Sequence, residues 1–205
     1  FSNVTIIGPK ANRETAISTN FQHALHLRRN NKIKIHNSFF TGYPWGVYID
    51  GSSTEANATN GELVMKNNIL AGVENWGGNG FGSAGALFVN NTVGIDAVTG
   101  EGKQHPTAPR GIPYRVVDAS IFNLKAWFES NNTILSKWED AGIQASIFEV
   151  GSTAVLPQGG SILLSGADFT GMTGFNTVDF RGAFGTENWT AGWAEFNPAA
   201  KDYTK

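Results

Sequence analysis

Two ten-residue segments of this chain are near copies of one another. Ile33-Lys-Ile-His-Asn-Ser-Phe-Phe-Thr-Gly42 aligns without a gap on Leu63-Val-Met-Lys-Asn-Asn-Ile-Leu-Ala-Gly72, at a spacing of 30 residues. Apolar Ile33, Ile35 and Phe40 match Leu63, Met65 and Leu70, and Asn37 and Gly42 match Asn67 and Gly72. The opening Val4-Thr-Ile-Ile-Gly8 fits the same frame 29 residues before Ile33. A period of this length belongs to chains in which each repeat cannot bury its own apolar face and must stack on the next.

A second set of segments interleaves with the first: Ala24-Leu-His-Leu-Arg28, Gly46-Val-Tyr-Ile-Asp50 and Ala86-Leu-Phe-Val-Asn90. In each, apolar residues stand two apart (Leu25 and Leu27, Val47 and Ile49, Leu87 and Val89), so they share one face of a strand while their neighbours point to solvent. The expected fold is mainly β: a right-handed parallel β-helix, or solenoid, with strands of successive coils pairing in parallel about 4.8 Å apart. Asn37 and Asn67, at matched turn positions, are expected to bond to one another through their side-chain amides; the competing reading is two ordinary turn asparagines.

Residues 1–98 are therefore assigned to β-helix coils. Because Phe1–Ile7 reads at once as a strand, these are expected to be the last coils of a longer solenoid. Polar or Gly-rich insertions at Gly51–Gly61 and Val73–Gly85 are expected to emerge as loops. The pattern breaks after Val98. Residues 99–142 read as a linker and short helices, one capped by Asp118 with Ile121, Leu124 and Phe128 on one face, and a helical turn over Ser136–Ala141. Residues 143–205 form an irregular C-terminal capping tail of loops, short strands and turns, expected to pack along or across the end of the solenoid and cover its open backbone.

The tail carries a resemblance. Leu156-Pro-Gln-Gly-Gly-Ser161, Ser165-Gly-Ala-Asp-Phe-Thr-Gly171, Val178-Asp-Phe-Arg-Gly-Ala-Phe-Gly185, Asn188-Trp-Thr-Ala-Gly-Trp193 and Phe196-Asn-Pro198 occur in order. This string resembles the C-terminal signature of a large set of secreted or surface-anchored parallel β-helix proteins of the Bacteroidota. Asn3-Val-Thr-Ile-Ile-Gly-Pro9, His26-Leu-Arg-Arg-Asn30 and Tyr48-Ile-Asp-Gly51 are similar to that family too. The resemblance implies β-helix coils followed by a helix and tail, and an extracellular or cell-surface, outer-membrane-associated bacterial protein. It brings no reaction and no catalytic residues with it. Under it, Trp189 and Trp193 read as packing anchors of the tail.

Composition narrows the chemistry. The net charge of −2 provides no basic field for nucleic acid. No apolar run reaches the ~18 residues of a membrane helix, and the absence of cysteine excludes a disulfide scaffold. No metal site or cofactor is expected: His23 and His26 stand three apart, on opposite faces of a strand. Hydrolysis by paired carboxylates finds only Asp50 on the coil strands, with Glu62 and Asp96 nearby.

Two candidate ligand-binding groups remain. His26, Arg28, Lys32, Lys34 and His36 should all face outward, forming a basic stripe suited to an acidic glycan or partner, or simply a solvated face that keeps the sheet unpaired. Tyr43, Trp45 and Tyr48 cluster about a turn and Trp76 sits in a Gly-rich loop, where exposed rings could stack on sugars or pin their loops to the core. The function expected is a non-catalytic surface scaffold that binds a glycan or an envelope protein. The alternatives are a polysaccharide lyase or glycoside hydrolase using Arg28, Lys34, His36 and Asp50 on an acidic polysaccharide, and an accessory subunit of an outer-membrane complex.

Overall fold

The architecture comes from a computed structural model, which describes residues 1–12, 14–18, 20–21, 23–43, 45–50, 52–72, 88–90 and 124–204. Within these the protein is mainly β and all strand pairings are parallel. Strands β1 (Thr5–Ile7), β4 (Phe39–Thr41), β7 (Ile69–Ala71) and β9 (Thr133–Leu135) form one sheet in that order. Strands β2 (His23–Arg28), β5 (Trp45–Asp50) and β8 (Phe88–Asn90) form a second, and β3 (Lys34–His36) and β6 (Val64–Lys66) a third.

The pairings obey the repeat. Ile35 lies opposite Met65 and Phe40 opposite Leu70, while Leu25 and Leu27 lie opposite Val47 and Ile49. Two registers differ from the sequence expectation. The opening strand joins β4, with Thr5 opposite Phe39, so the first spacing is 34 residues and Val4 falls beside Ser38 rather than Ile33. The cause is the turn that precedes the strand. Asn3, Asn37 and Asn67 all adopt positive φ (55°, 50° and 60°), and this shared left-handed residue fixes where each strand starts. In the second sheet Val47 pairs with Phe88, one residue beyond the Leu87 expected.

A third difference is β9. Thr133–Leu135 lies in the stretch assigned to linker and helices, yet it adds a fourth strand beside β7, with Leu70 opposite Ile134. Asn131-Asn-Thr-Ile-Leu-Ser136 repeats the pattern of Asn67-Asn-Ile-Leu-Ala-Gly72, but a Ser stands where the earlier copies have Gly. The expected helix before it is short, α2 (Leu124–Glu129), with Phe128 fully buried; Asp118 and Ile121 lie outside the described residues. The expected turn over 136–141 is a 3₁₀ turn at Glu139–Ala141.

The two central strands of the four-stranded sheet are buried on both faces, which explains the unbroken apolar runs in β4 and β7. One face sends Ile6, Phe40, Leu70 and Ile134 into a core shared with Leu25, Leu27, Val47, Ile49, Leu63, Met65 and Phe128. The opposite face sends Ile7, Phe39, Ile69, Ala71 and Leu135 into a second core, closed by Trp138 and Ala141 of the stretch after β9 and by Ile143, Ile147, Phe148 and Leu163 of the tail. The tail thus covers the flank of a sheet, and its regular structure beyond β9 is limited to short 3₁₀ turns such as Ala145–Phe148 and Ile162–Leu164.

The insertion after β5 is also more ordered than expected. Ser52–Thr59 forms helix α1 instead of a loop, with Thr54, Glu55, Asn57 and Ala58 buried. Its polar composition hides the helix from any apolar periodicity. Ala58 joins the interior core, and polar contacts hold the rest: Asn57 Nδ2 donates to Asn30 Oδ1 at 2.9 Å and to the Asn31 carbonyl at 3.0 Å.

Candidate functional site

The residues of the two expected ligand-binding groups fall on several strands, and β2 and β5 set part of each group side by side, with His26 opposite Tyr48. On β2, His26 and Arg28 are exposed while Leu25 and Leu27 are buried, and on β3 Lys34 is exposed beside buried Ile35, so the expected alternation holds. The stripe nevertheless crosses two sheets, with His26 and Arg28 in one and Lys34 and His36 in another. Two cations along it are ion-paired: Lys32 with Glu62 at 3.0 Å, and Lys66, opposite His36, with Asp168 at 2.9 Å. His36 is half-buried. Desolvation first, then the positive charges of the Phe1 ammonium, Lys66 and Lys34, hold its pKa below the usual imidazole value.

Tyr43 is half-buried against the interior core, and burial raises its phenol pKa. It is a packing residue more than a stacking platform. Trp45 and Tyr48 lie on β5 opposite His23 and His26. Trp76 lies outside the described residues, as do the other residues of its loop. Among the described residues no group of histidines and carboxylates has the arrangement of a metal site, and no helix is long and apolar enough to cross a membrane.

What the asparagine column does instead is hold the tail. Asn67 Nδ2 donates to Asn37 Oδ1 at 2.7 Å, the side-chain ladder expected from the repeat. A second ladder runs beside it, with Ser38 N donating to Asn68 Oδ1 at 2.9 Å and Asn68 Nδ2 to Asn132 Oδ1 at 2.8 Å. The first ladder also faces the tail. Asn3 Nδ2 donates to the Phe180 carbonyl, Asn67 Nδ2 to the Gly166 carbonyl, and Asp168 N to Asn37 Oδ1 (2.7, 2.7 and 2.9 Å). Gly182 N donates to the Asn37 carbonyl at 2.7 Å and Ala183 N to Thr5 Oγ1 at 2.8 Å. Arg181 turns inward, its guanidinium donating to the carbonyls of Ser165 and Ile162. The backbone leading to Ala183 is therefore pinned at successive residues, and it gives the next segment a rigid base.

That next segment carries three aromatic rings in a row. Phe184 and Trp189 stack with centroids 5.6 Å apart and planes 16° from parallel, and Trp193 continues the row at another 5.6 Å with a 31° tilt. Trp189 is 56% exposed and Trp193 68% exposed, so the expectation that both are packing anchors is corrected. Their indole N–H groups are what anchor them: Trp189 Nε1 donates to the Ala183 carbonyl at 2.8 Å and Trp193 Nε1 to the Trp189 carbonyl at 2.6 Å. Asn188 Oδ1 accepts from the Thr190 amide at 3.0 Å and from its hydroxyl, closing the turn between the two tryptophans. With their polar atoms committed to backbone, the rings offer hydrocarbon surface and π faces in a fixed orientation.

Trp189 also lines an open cleft of about 460 Å³, within the usual range for a small-molecule site. Leu164, Val178, Phe180 and Ala183 line it with Thr186 and the carboxylates Asp179 and Glu187. Gly185 is required there, because a Cβ at that position would come within 2.7 Å of the Phe180 ring. A cleft with an aromatic wall, a hydroxyl and two carboxylates can stack a sugar ring and accept hydrogen bonds from its hydroxyls. Sequence reasoning missed this site because Trp-x-x-x-Trp in a turn looks the same whether its rings are buried or presented. The discriminating signal is the surrounding Gly, Asn and Thr, with no Val, Leu or Ile between Gly185 and Phe196.

Comparison of the chain with models of known protein families, with curated proteins and with solved structures found no match.

Proposed function

We propose that this chain is a non-catalytic, extracellular or cell-surface scaffold of the Bacteroidota β-helix type that binds glycan through Phe184, Trp189, Trp193 and the adjoining cleft. The architecture proposed is a right-handed parallel β-helix flanked by the tail. It is supported by parallel pairing in all three sheets, by the β3–β6 and β4–β7 pairs that recur at the 30-residue spacing, and by the two in-register polar ladders. Right-handedness rests on the general preference of parallel crossover connections. The single observation that carries the binding reading is the pair of tryptophans more than half exposed, with their indole nitrogens tied to backbone carbonyls. Large rings held open at that cost in apolar exposure are a surface for a partner.

The test is binding to a panel of soluble polysaccharides, monitored by tryptophan fluorescence, with Trp189→Ala and Trp193→Ala as the variants. The reading expects at least one glycan to shift the emission and expects each variant to weaken it by about tenfold, in line with the loss of one stacked ring. A panel that leaves wild-type emission unchanged would remove the glycan reading.

Hydrolysis is the second reading, and the observation that favours it is two carboxylates on one cleft, Asp179 and Glu187. The same panel separates the two: release of reducing ends that disappears in Glu187→Gln would establish catalysis, and binding without product supports the scaffold.

A further inference from the structure

Among the described residues, the cleft beside Trp189 carries charge of one sign: its titratable lining residues are Asp179 and Glu187, and no described lysine, arginine or histidine lines it. The cation nearest in sequence, Arg181, is buried, and its guanidinium is spent on the carbonyls of Ile162 and Ser165. Farther along the tail, Lys201 is paired with Glu195 at 3.3 Å. An anionic glycan would therefore meet two carboxylates and, among the described residues, no compensating cation, whereas a cationic group would meet both carboxylates and the electron-rich face of an indole.

We propose that the cleft selects an amino sugar carrying a free, protonated amine, within a glycan chain that continues across Trp193. This rests on the glycan-binding reading and refines it, and it sets the site apart from the acidic polysaccharides that the basic stripe of β2 and β3 would suit. The amine is placed between the Asp179 and Glu187 carboxylates while the sugar ring stacks on Trp189. Both residues are exposed, so each contact contributes modestly and selectivity comes from their sum.

The experiment compares β-linked glucosamine oligosaccharides with their fully N-acetylated counterparts of equal length, by calorimetry on the whole chain at one pH where the amine is protonated. The inference expects the amine form to bind about tenfold more tightly, the combined effect of two exposed charge contacts and a cation–π contact. It expects Asp179→Asn with Glu187→Gln to erase that preference, so that the two oligosaccharides bind the double variant with equal affinity. Equal affinity for the two oligosaccharides would overturn the amine assignment and leave the glycan site standing. A preference that survives in the double variant would overturn the placement. Oligolysine of matched charge binding as tightly as the amino sugar would reduce the effect to surface charge and overturn it as well. If neither oligosaccharide binds and no other glycan does, the underlying glycan reading fails with it.

Discussion

Asn37 is the residue on which the most depends. It is fully buried, sits at φ 50°, accepts from Asn67 Nδ2 and from the Asp168 amide, and donates to Ser2 Oγ and the Asp168 carbonyl. Truncation leaves several of these groups unsatisfied, and an L-residue without a polar side chain is poorly suited to the left-handed region. Asn37→Ala is expected to cost about 3 kcal/mol in urea unfolding, with Asn37→Gly about 1–2 kcal/mol less damaging because glycine accepts the backbone. Equal losses would show that the left-handed turn contributes nothing. His36, next to it, is expected to titrate in NMR below the value of about 6.5 found for a free imidazole. The sign comes from its depressed pKa: as pH falls through the unfolded value, the unfolded chain takes up a proton that the folded chain resists. Stability should therefore decline on acidification through that range, and His36→Gln should flatten the decline. Asp168 acts lower on the scale. Hydrogen bonds from the Thr170 amide, then Lys66, hold its carboxyl well below the usual carboxylate range. Its contribution is present above the unfolded Asp value and is lost as pH falls through the folded one.

At the scale of elements, β4 separates two packing problems. Phe40 points into the interior core and Phe39, its neighbour, into the core beneath the tail. Both are fully buried, and truncation of either is expected to cost about 3–5 kcal/mol. The two should differ in what loosens. Phe40→Ala should lower amide protection throughout the strands, while Phe39→Ala should lower it first between 141 and 163. Indistinguishable exchange maps would mean that the two cores do not behave separately. The same geometry decides how far the elements are legible in the sequence. The strands of the repeat can be read because Leu25 and Leu27, Val47 and Ile49, Ile33 and Ile35, and Leu63 and Met65 stand two apart over one core. The first strand is misplaced because Ile6 and Ile7 are both apolar and fit either frame; the left-handed asparagine that decides between them is a turn residue, invisible to hydrophobic periodicity. Helix α1 is missed because its buried face is Thr54, Glu55, Asn57 and Ala58, held by polar contacts. The exposed tryptophans are misjudged because burial is a property of neighbours, and theirs are one another, Phe184 and local backbone carbonyls, which leave the rings open.

At the scale of the molecule, the described residues are organised around one polar seam. Side-chain amides stack strand upon strand on one side of it, and on the other side the backbone from Gly166 to Ala183 is bonded to the same residues. The tail is thereby fixed to the flank of a parallel sheet, and the aromatic row projects from its pinned end. The proposed coil, the seating of the tail and the presentation of Trp189 and Trp193 all require that strands one repeat apart lie side by side in the same direction and in one register. Because the chain has no cysteine, engineered pairs report that register without interference. Lys34 and Val64 are paired residues, and adjacent parallel strands lie about 4.8 Å apart, inside the span a disulfide can bridge. Lys34→Cys with Val64→Cys should close rapidly under mild oxidation, while Lys34→Cys with Met65→Cys, whose side chains leave opposite faces, should stay reduced. Crosslinking of the 34–65 pair with none in the 34–64 pair would contradict the register, and with it the account of fold and site together.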